Sequence, residues 1–180
     1  IRNYYHQLYN PKRKNLSILF EVKYDPPLGK LVKLSKNVST ILAPNASPMT
    51  FRGTQTYIIG ERDELAIIDP GPKIDTHLQA INKAMEGKKL IGILITHSHV
   101  DHSPLGKDIS DKYDVPIYAF GKTGEGKSEI MKKYAEKFKI GGGEGVDPLF
   151  NPDILISTGD HISCSSWSVE AIHTPGHMSN

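Results

Sequence analysis

Apolar and β-branched segments alternate with glycine- and proline-rich turns along most of the chain, and this pattern predicts a series of strands. The segments that predict strands are 38–43, 53–60, 65–69, 90–96, 115–120, 153–157 and 167–174. The segment 90–96, with the sequence LIGILIT, is almost continuously apolar. Such a run indicates a strand that is buried on both faces.

Between the later strands, apolar residues recur at helical spacing and predict helices. Four apolar residues recur at steps of three and four and predict the first helix: Ile74, Leu78, Ile81 and Met85. Gly87 stands where a glycine commonly ends a helix, and two further helices are predicted over 103–113 and 127–139. Because the early strands follow one another directly and the later ones alternate with helices, we expect an α+β fold with helices packed on a mixed sheet.

Residues 1–36 are more polar and basic than the rest of the chain and include the run PKRK at 11–14. We expect an N-terminal extension over 1–36, with one or two strands, followed by a single domain over 37–180. The lysine and arginine run is typical of a solvated surface, and contact with RNA is the alternative.

Composition narrows the function classes. The chain has 22 Lys and Arg against 20 Asp and Glu, a balance that argues against a broadly cationic nucleic-acid binder. Its one cysteine, Cys164, excludes an internal disulfide framework and a cysteine-built zinc site. The apolar runs are too short for a membrane span of about 20 residues, and the N-terminus lacks the pattern of a signal peptide. We therefore expect a cytoplasmic protein that does not enter the membrane.

A dense group of ligand-type side chains directly follows the apolar run 90–96: His97, His99, Asp101 and His102. In extended backbone, residues two apart point the same way, so His97 and His99 can bind one ion together. Asp101 and His102 turn toward a neighbouring position. Imidazole nitrogen and carboxylate oxygen without thiolate suit zinc, with iron or manganese as alternatives. Surface histidines at a strand end are the structural alternative, but four ligand-type residues within six positions favour a metal site.

Two histidines are too few for a catalytic zinc, so a third ligand is expected from elsewhere. The best candidate is His177, which follows the apolar segment 169–172 through the turn at Pro175 and Gly176. His173, inside the end of the preceding strand, is expected to be structural. The remaining histidines lack partners at metal-ligand spacing and are expected to be solvent-facing or locally bonded: His6, His77 and His161.

Three stretches together resemble the metallo-β-lactamase-fold hydrolase superfamily: the strand ending at Asp69, THSHVDH at 96–102, and HTPGHMSN at 173–180. The resemblance extends from about residue 38 to the end, and the string PMTFRGTQTYIIG at 48–60 further resembles the branch that contains glyoxalase II-like hydrolases and β-lactamase-like endoribonucleases. The resemblance implies an αββα sandwich, two packed sheets flanked by helices, whose C-terminal portion lies beyond Asn180.

The same resemblance implies roles for individual residues. It implies that His97, His99 and His177 bind the first metal ion. Asp101 and His102 hold the second ion, and Asp69 supports the metal loop through hydrogen bonds. The family's bridging aspartate and last histidine fall beyond Asn180, so this portion alone is expected to hold an incomplete second site, and a lack of activity in this portion alone stays open as an alternative.

The reaction implied is hydrolysis with one or two zinc ions as cofactor. A metal-bound hydroxide attacks an ester, thioester or similar carbonyl group of a small-molecule substrate, and Asp101 both binds metal and orients the nucleophile. The chain reads DHSPLG at 101–106 where glyoxalase II-like members have DHxGG, which argues against a specific thioester-hydrolase identity. The alternative is an endoribonuclease or phosphodiesterase of the same fold, with RNA as the partner.

A second motif, GKTGEGKS at 121–128, matches the phosphate-binding loop GxxxxGK[ST] and lies between a predicted strand and a predicted helix. A nucleotide-binding fold also requires a later strand that ends in a metal-binding aspartate. The segment 153–157 ends instead in Ser157. We therefore favour a flexible Gly/Lys loop over nucleotide binding at 121–128.

Overall fold

The computed structural model describes residues 25–61, 63–138 and 145–180. His6, the basic run 11–14 and residues 141–144 of the glycine-rich stretch lie outside these described residues. The strands are β1 (Leu31–Lys33), β2 (Val38–Leu42), β3 (Gln55–Ile59), β4 (Glu64–Ile68), β5 (Lys89–Leu94), β6 (Ile117–Ala119), β7 (Ile154–Leu155), β8 (His161–Ser163) and β9 (Ser168–Glu170). The helices are α1 (Asp75–Ala84), α2 (Leu105–Tyr113) and α3 (Glu129–Phe138).

The first seven strands form one mixed sheet in the order in which they occur along the chain. Neighbours from β1 to β4 are antiparallel, whereas those from β4 to β7 are parallel. Parallel neighbours need a crossover connection, and the helices supply it. The predicted α+β class is therefore confirmed. Strand β1 pairs Leu31 with Ile41, so the sheet begins before residue 37, while the domain boundary there stays a prediction.

The central strands are covered on both faces. Ile67 and Ile93 pack with Ile81 of α1 in the cluster on the helical face. Residues of odd and even position in a strand point to opposite faces, and Ala66 accordingly packs with Trp167 in a second cluster. That cluster is formed with the hairpin of β8 and β9, so β5 is enclosed from both sides as its apolar run predicts.

The hairpin also contains β8, which is the one strand of the described residues that the sequence pattern missed. Strand β8 has a single apolar residue, Ile162, between two polar ones. Three residues are too few to show an alternation, and only the pairing of Ile162 with Val169 of β9 reveals the strand. Among the described residues, no helix is long and apolar enough to cross a bilayer.

Topology brings the chemistry-bearing loops to one edge of the sheet. Strands β4 and β5 are parallel neighbours, so their carboxyl ends meet at the same edge. Asp69 directly follows β4, and the loop with His97 and His99 follows β5. Asp69 has φ +49°, a left-handed conformation that Asp tolerates better than most residues. This conformation turns the chain at the edge of the sheet.

Candidate metal centre

His97, His99 and His177 converge at this edge, and one ring nitrogen from each lies within 4.8 Å of the others. His99 Nδ1 lies 3.0 Å from His97 Nε2 and 3.0 Å from His177 Nε2. In a tetrahedral zinc site with Zn–N bonds of about 2.0–2.1 Å, ligand nitrogens are about 3.3 Å apart. The three imidazoles therefore have the spacing and the donor chemistry that such an ion requires.

The electrostatics of the cluster favour neutral rings. Burial, reinforced by the neighbouring His102, lowers the pKa of His97 to about 4. Burial and the proximity of His177 also lower the pKa of His99. A histidine must be deprotonated to bind a metal ion. At neutral pH these two rings therefore carry free lone pairs without having to lose a proton.

A hydrogen-bonded chain selects the tautomer of His97. The hydroxyl of Thr96 donates to Asp69 Oδ2 at 2.7 Å and also lies 2.9 Å from His97 Nδ1. The hydroxyl has one proton, which it donates in the hydrogen bond to the carboxylate. Its oxygen can therefore only accept a hydrogen bond from the N–H at His97 Nδ1. The lone pair of His97 Nε2 is then directed at the other two histidines, so Asp69 and Thr96 orient this ring.

A second pair of donor atoms lies beside the three histidines. His102 Nδ1 donates to Asp69 Oδ2 at 2.9 Å, and its Nε2 lies 3.3 Å from Asp101 Oδ2. The rings of His97 and His102 are 4.1 Å apart between centroids. Burial alone would lower the pKa of His102, but the hydrogen bond and charge of Asp69, together with the charge of Asp101, raise it. This position therefore favours a cation, either the imidazolium itself or a metal ion shared with Asp101.

The carboxylate of Asp101 is held by Thr54, which the sequence interpretation did not single out. Thr54 is 8% exposed, and its hydroxyl donates to Asp101 Oδ2 at 2.7 Å. Asn45 Nδ2 donates to the same hydroxyl at 3.0 Å, which leaves its proton free for Asp101. In the sequence, Thr54 looks like an ordinary strand-forming residue. The one signal that could have identified it as part of the site is its position within the stretch 48–60, which carries part of the family resemblance.

The other histidines of the described chain lie outside the cluster. His173 stacks on Phe120 with the ring centroids 3.7 Å apart. This contact agrees with the structural role expected for His173. His161 is exposed, with Nδ1 3.4 Å from Ser168 Oγ. His77 is not solvent-facing: it is 0% exposed within α1, and its Nε2 lies 2.8 Å from Thr56 Oγ1 of β3. Burial lowers the pKa of His77 to about 4.

The glycine-rich loop 121–128 contacts the end of the described chain. Ser128 Oγ accepts the backbone N–H of Met131 at 3.2 Å and so caps the first turn of α3. At Gly126, an added Cβ would lie 2.2 Å from the carbonyl oxygen of Ser179. The protein's own backbone thus packs against this loop, where a phosphate-binding loop would face its ligand.

Comparison with known proteins gives consistent matches. The family model described as the metallo-beta-lactamase superfamily matches residues 49–179. A beta-lactamase-like protein 2 homolog from Caenorhabditis elegans is 28% identical over 155 residues, which is 82% of this chain and 45% of that protein. An atrochrysone carboxyl ACP thioesterase from Aspergillus terreus is 27% identical over 165 residues, 87% of this chain and 43% of that protein. The chain spans about half the length of the curated relatives it matches.

Among solved structures, the chain is similar in fold to a subclass B3 metallo-beta-lactamase of Bradyrhizobium japonicum. The TM-score is 0.57 at 19% identity, and the match covers 83% of this chain and 53% of that one. At this level of identity the similarity concerns the fold alone.

Proposed function

Because the chain belongs to the metallo-beta-lactamase superfamily, we propose that it acts as a zinc-dependent hydrolase of an ester or thioester in a small molecule. The observation that carries this proposal is the convergence of three imidazole nitrogens, from His97, His99 and His177, within 4.8 Å. Three histidines leave one position of a tetrahedral zinc ion open for water or substrate, as catalytic zinc sites do. A cytoplasmic location belongs to the same proposal, because the sequence has one cysteine and so cannot form the internal disulfides that are typical of secreted domains.

In this proposal each residue of the centre has a defined task. The ligands of the first ion are His97, His99 and His177. Asp101 and His102 hold a second ion when one is present. A bound zinc ion acts as a Lewis acid and lowers the pKa of its water to about 7, so that a nucleophile is available at neutral pH.

The chain's own residues orient the reactants. Asp101 accepts a hydrogen bond from the Thr54 hydroxyl at Oδ2, which restrains the position of its carboxylate. We propose that Asp101 uses its carboxylate oxygens to bind metal and to orient the attacking water. Asp69 acts at a distance from the substrate: it accepts hydrogen bonds from Thr96 and His102 and keeps both side chains in place.

Relatives named as thioesterases favour a thioester substrate. Two atrochrysone carboxyl ACP thioesterases match 86% and 87% of the chain. The endoribonuclease alternative depends on the basic run 11–14, outside the described residues, and no described contact favours it. A thioester, with its carbonyl carbon as the point of attack, is therefore the substrate that we propose.

The test is metal content and turnover in matched variants. The full chain, freed of metal with a chelator and reloaded with zinc, is assayed on a set of acyl thioesters, aryl esters and RNA oligonucleotides. We expect retained zinc by elemental analysis and thioester hydrolysis in the wild type. Both are lost in the double variant His97→Ala/His99→Ala. His161→Ala, a change at an exposed histidine outside the cluster, leaves both unchanged.

Two results would overturn the proposal. One is equal zinc content in the double variant and the wild type. The other is a zinc-loaded wild type that hydrolyses none of the thioesters and esters. Cleavage of RNA alone, with a steep dependence on salt, would replace the thioester with a phosphodiester.

A further inference from the structure

His177 reaches the cluster from an exposed turn. Residues 174–177 are all exposed and lie beyond the last strand, β9. A metal ligand must be held in position to bind tightly, and an exposed turn of this length contributes little packing of its own. The residues on both sides of the turn supply the anchoring.

The glycine-rich loop holds the far side of the turn. Ser179 Oγ donates to the carbonyl oxygen of Glu125 at 2.6 Å, and Asn180 Nδ2 donates to that of Gly121 at 3.4 Å. Between these two contacts, the backbone of Gly126 approaches the Ser179 carbonyl so closely that a Cβ would lie 2.2 Å from its oxygen. Gly126 of the GKTGEGKS motif therefore permits a close contact between the backbone of the loop and the backbone of the turn.

Asn180 connects this contact to the metal loop. Asn180 is 7% exposed, and its Oδ1 accepts a hydrogen bond of 3.4 Å from Ser98 Oγ. Ser98 is itself 0% exposed and lies between His97 and His99 in the sequence. One buried amide thus links the glycine-rich loop to the loop that carries the other two histidines.

The near side of the turn is held by the residue that precedes the loop. Phe120 stacks on His173 at a ring-centroid distance of 3.7 Å and an interplanar angle of 5°. His173 Nε2 also lies 3.4 Å from the Ser179 carbonyl oxygen, which closes the turn on itself. Both ends of the turn 173–180 are therefore attached to residues 120–126.

We propose that residues 120–126 position His177 for metal binding by clamping the turn 173–180. The motif GKTGEGKS then serves the metal centre through a backbone contact at Gly126, without binding a nucleotide. This inference rests on the proposed function, because the clamp matters only where His177 is a ligand. Gly126 and Asn180 are positioning residues, since they act through His177 and touch no reacting atom.

Two glycines of the same loop provide a matched test. Gly126 has φ +76° and Gly124 has φ +84°, so an alanine meets a similar backbone penalty at each. At Gly126 the added methyl meets the Ser179 carbonyl oxygen, whereas at Gly124 its nearest neighbour is the flexible Lys127 Nζ at 3.6 Å. Only Gly126→Ala is therefore expected to move the turn.

The readouts are zinc affinity, measured by competition with a chromophoric chelator, and the visible absorption spectrum of the cobalt-loaded full chain. We expect Gly126→Ala to weaken zinc binding by about 10–100-fold and to alter the cobalt spectrum. We expect Gly124→Ala to stay within about threefold of the wild type. Thermal melting of the metal-free variants verifies that both are folded.

A double-mutant cycle separates positioning from general damage. If the clamp acts through His177, Gly126→Ala has no further effect on zinc affinity in a His177→Ala background. If the two losses multiply, or if Gly126→Ala behaves like Gly124→Ala, the clamp is refuted. Should His177→Ala itself leave zinc affinity unchanged, the ligand set of the proposed function fails, and the clamp with it.

Asn180→Ala provides an independent variant should Gly126→Ala not fold. It removes the hydrogen bonds to Ser98 and Gly121 without adding bulk. We expect weaker zinc binding that again disappears in the His177→Ala background, whereas Asn151→Ala, at an exposed asparagine, has no effect. Equal zinc affinity in Asn180→Ala and Asn151→Ala would count against the clamp.

Discussion

Asp69 and Thr96 are joined by two hydrogen bonds across the ends of adjacent parallel strands. The carboxylate of Asp69 accepts the backbone N–H of Thr96 at 2.8 Å and its hydroxyl at 2.7 Å. Asp69 makes these bonds from a left-handed conformation with φ +49°, which costs on the order of 1 kcal/mol or more for a residue other than glycine. The pair offsets that strain and aims the Thr96 oxygen at His97.

Replacing Thr96 with valine tests this arrangement. Valine keeps the branched shape but removes the hydroxyl, so His97 Nδ1 loses the oxygen that accepts its proton. We expect zinc affinity to fall by about 10–100-fold, the range found when the groups that orient metal ligands are removed. Competition with a chromophoric chelator measures the zinc affinity. Thr76→Val, on the exposed side of α1, controls for the substitution itself, and equal affinity in the two variants would contradict the assigned tautomer.

Zinc binding should also stabilise the folded protein. An ion that binds only the folded state at 100 times its Kd adds about 2.7 kcal/mol to the free energy of unfolding, or roughly 5–10 °C in Tm for a chain of this size. His99→Ala removes the nitrogen that faces both His97 and His177, so zinc should leave its Tm unchanged. Differential scanning calorimetry measures the shift. A shift as large in His99→Ala as in His161→Ala would show that zinc stabilises the fold elsewhere.

His77 should make stability depend on pH. Burial lowers its pKa from 6.5 to about 4, so between these values the unfolded chain binds a proton that the folded chain does not. Stability therefore falls as the pH drops through 6.5, and the loss is complete below about 4. The wild type should lose about 2–3 kcal/mol more than His77→Gln between about pH 7.5 and about pH 4.5.

Urea unfolding of the metal-free proteins measures this difference. Glutamine does not titrate but keeps a polar partner for Thr56 Oγ1. His161→Gln, at an exposed site, should retain the wild-type pH dependence. Parallel stability curves for the wild type and His77→Gln would show that His77 keeps an ordinary pKa in the folded state.

Alanine substitutions at two isoleucines, one in the core and one on the exposed helix α3, should differ in their effect on the free energy of unfolding. Ile93 of β5 is 0% exposed, whereas Ile130 of α3 is 67% exposed. Ile93→Ala should lower the free energy of unfolding by about 2–5 kcal/mol because it leaves a cavity. Ile130→Ala should change it by no more than about 0.5 kcal/mol. Urea titration measures both, and a comparable loss at Ile130 would mean that the apolar side of α3 is covered in solution.

Much of the fold was accessible from the sequence because its causes are local. The nearly continuous apolar run at 90–96 predicted a strand buried on both faces, and β5 is an inner strand of the sheet with apolar clusters on either side. The family resemblance, read from a few motifs, is confirmed by the match over residues 49–179. Strand β8 escaped detection because three residues with one apolar member carry no periodicity.

The sequence by itself determined the ligand-type residues 97–102, since side chains within six positions of a strand end share one loop whatever the rest of the chain does. His177 was already a candidate third ligand from the sequence, but only the tertiary structure decided that it reaches this loop and that Thr54 contacts Asp101. His177 faces His99 across 78 positions, and Thr54 reaches Asp101 across 47. Such contacts depend on strand pairing and turn conformation, which local propensity does not encode. The same dependence explains why a glycine-rich motif that resembles a phosphate-binding loop instead packs against the turn that carries His177.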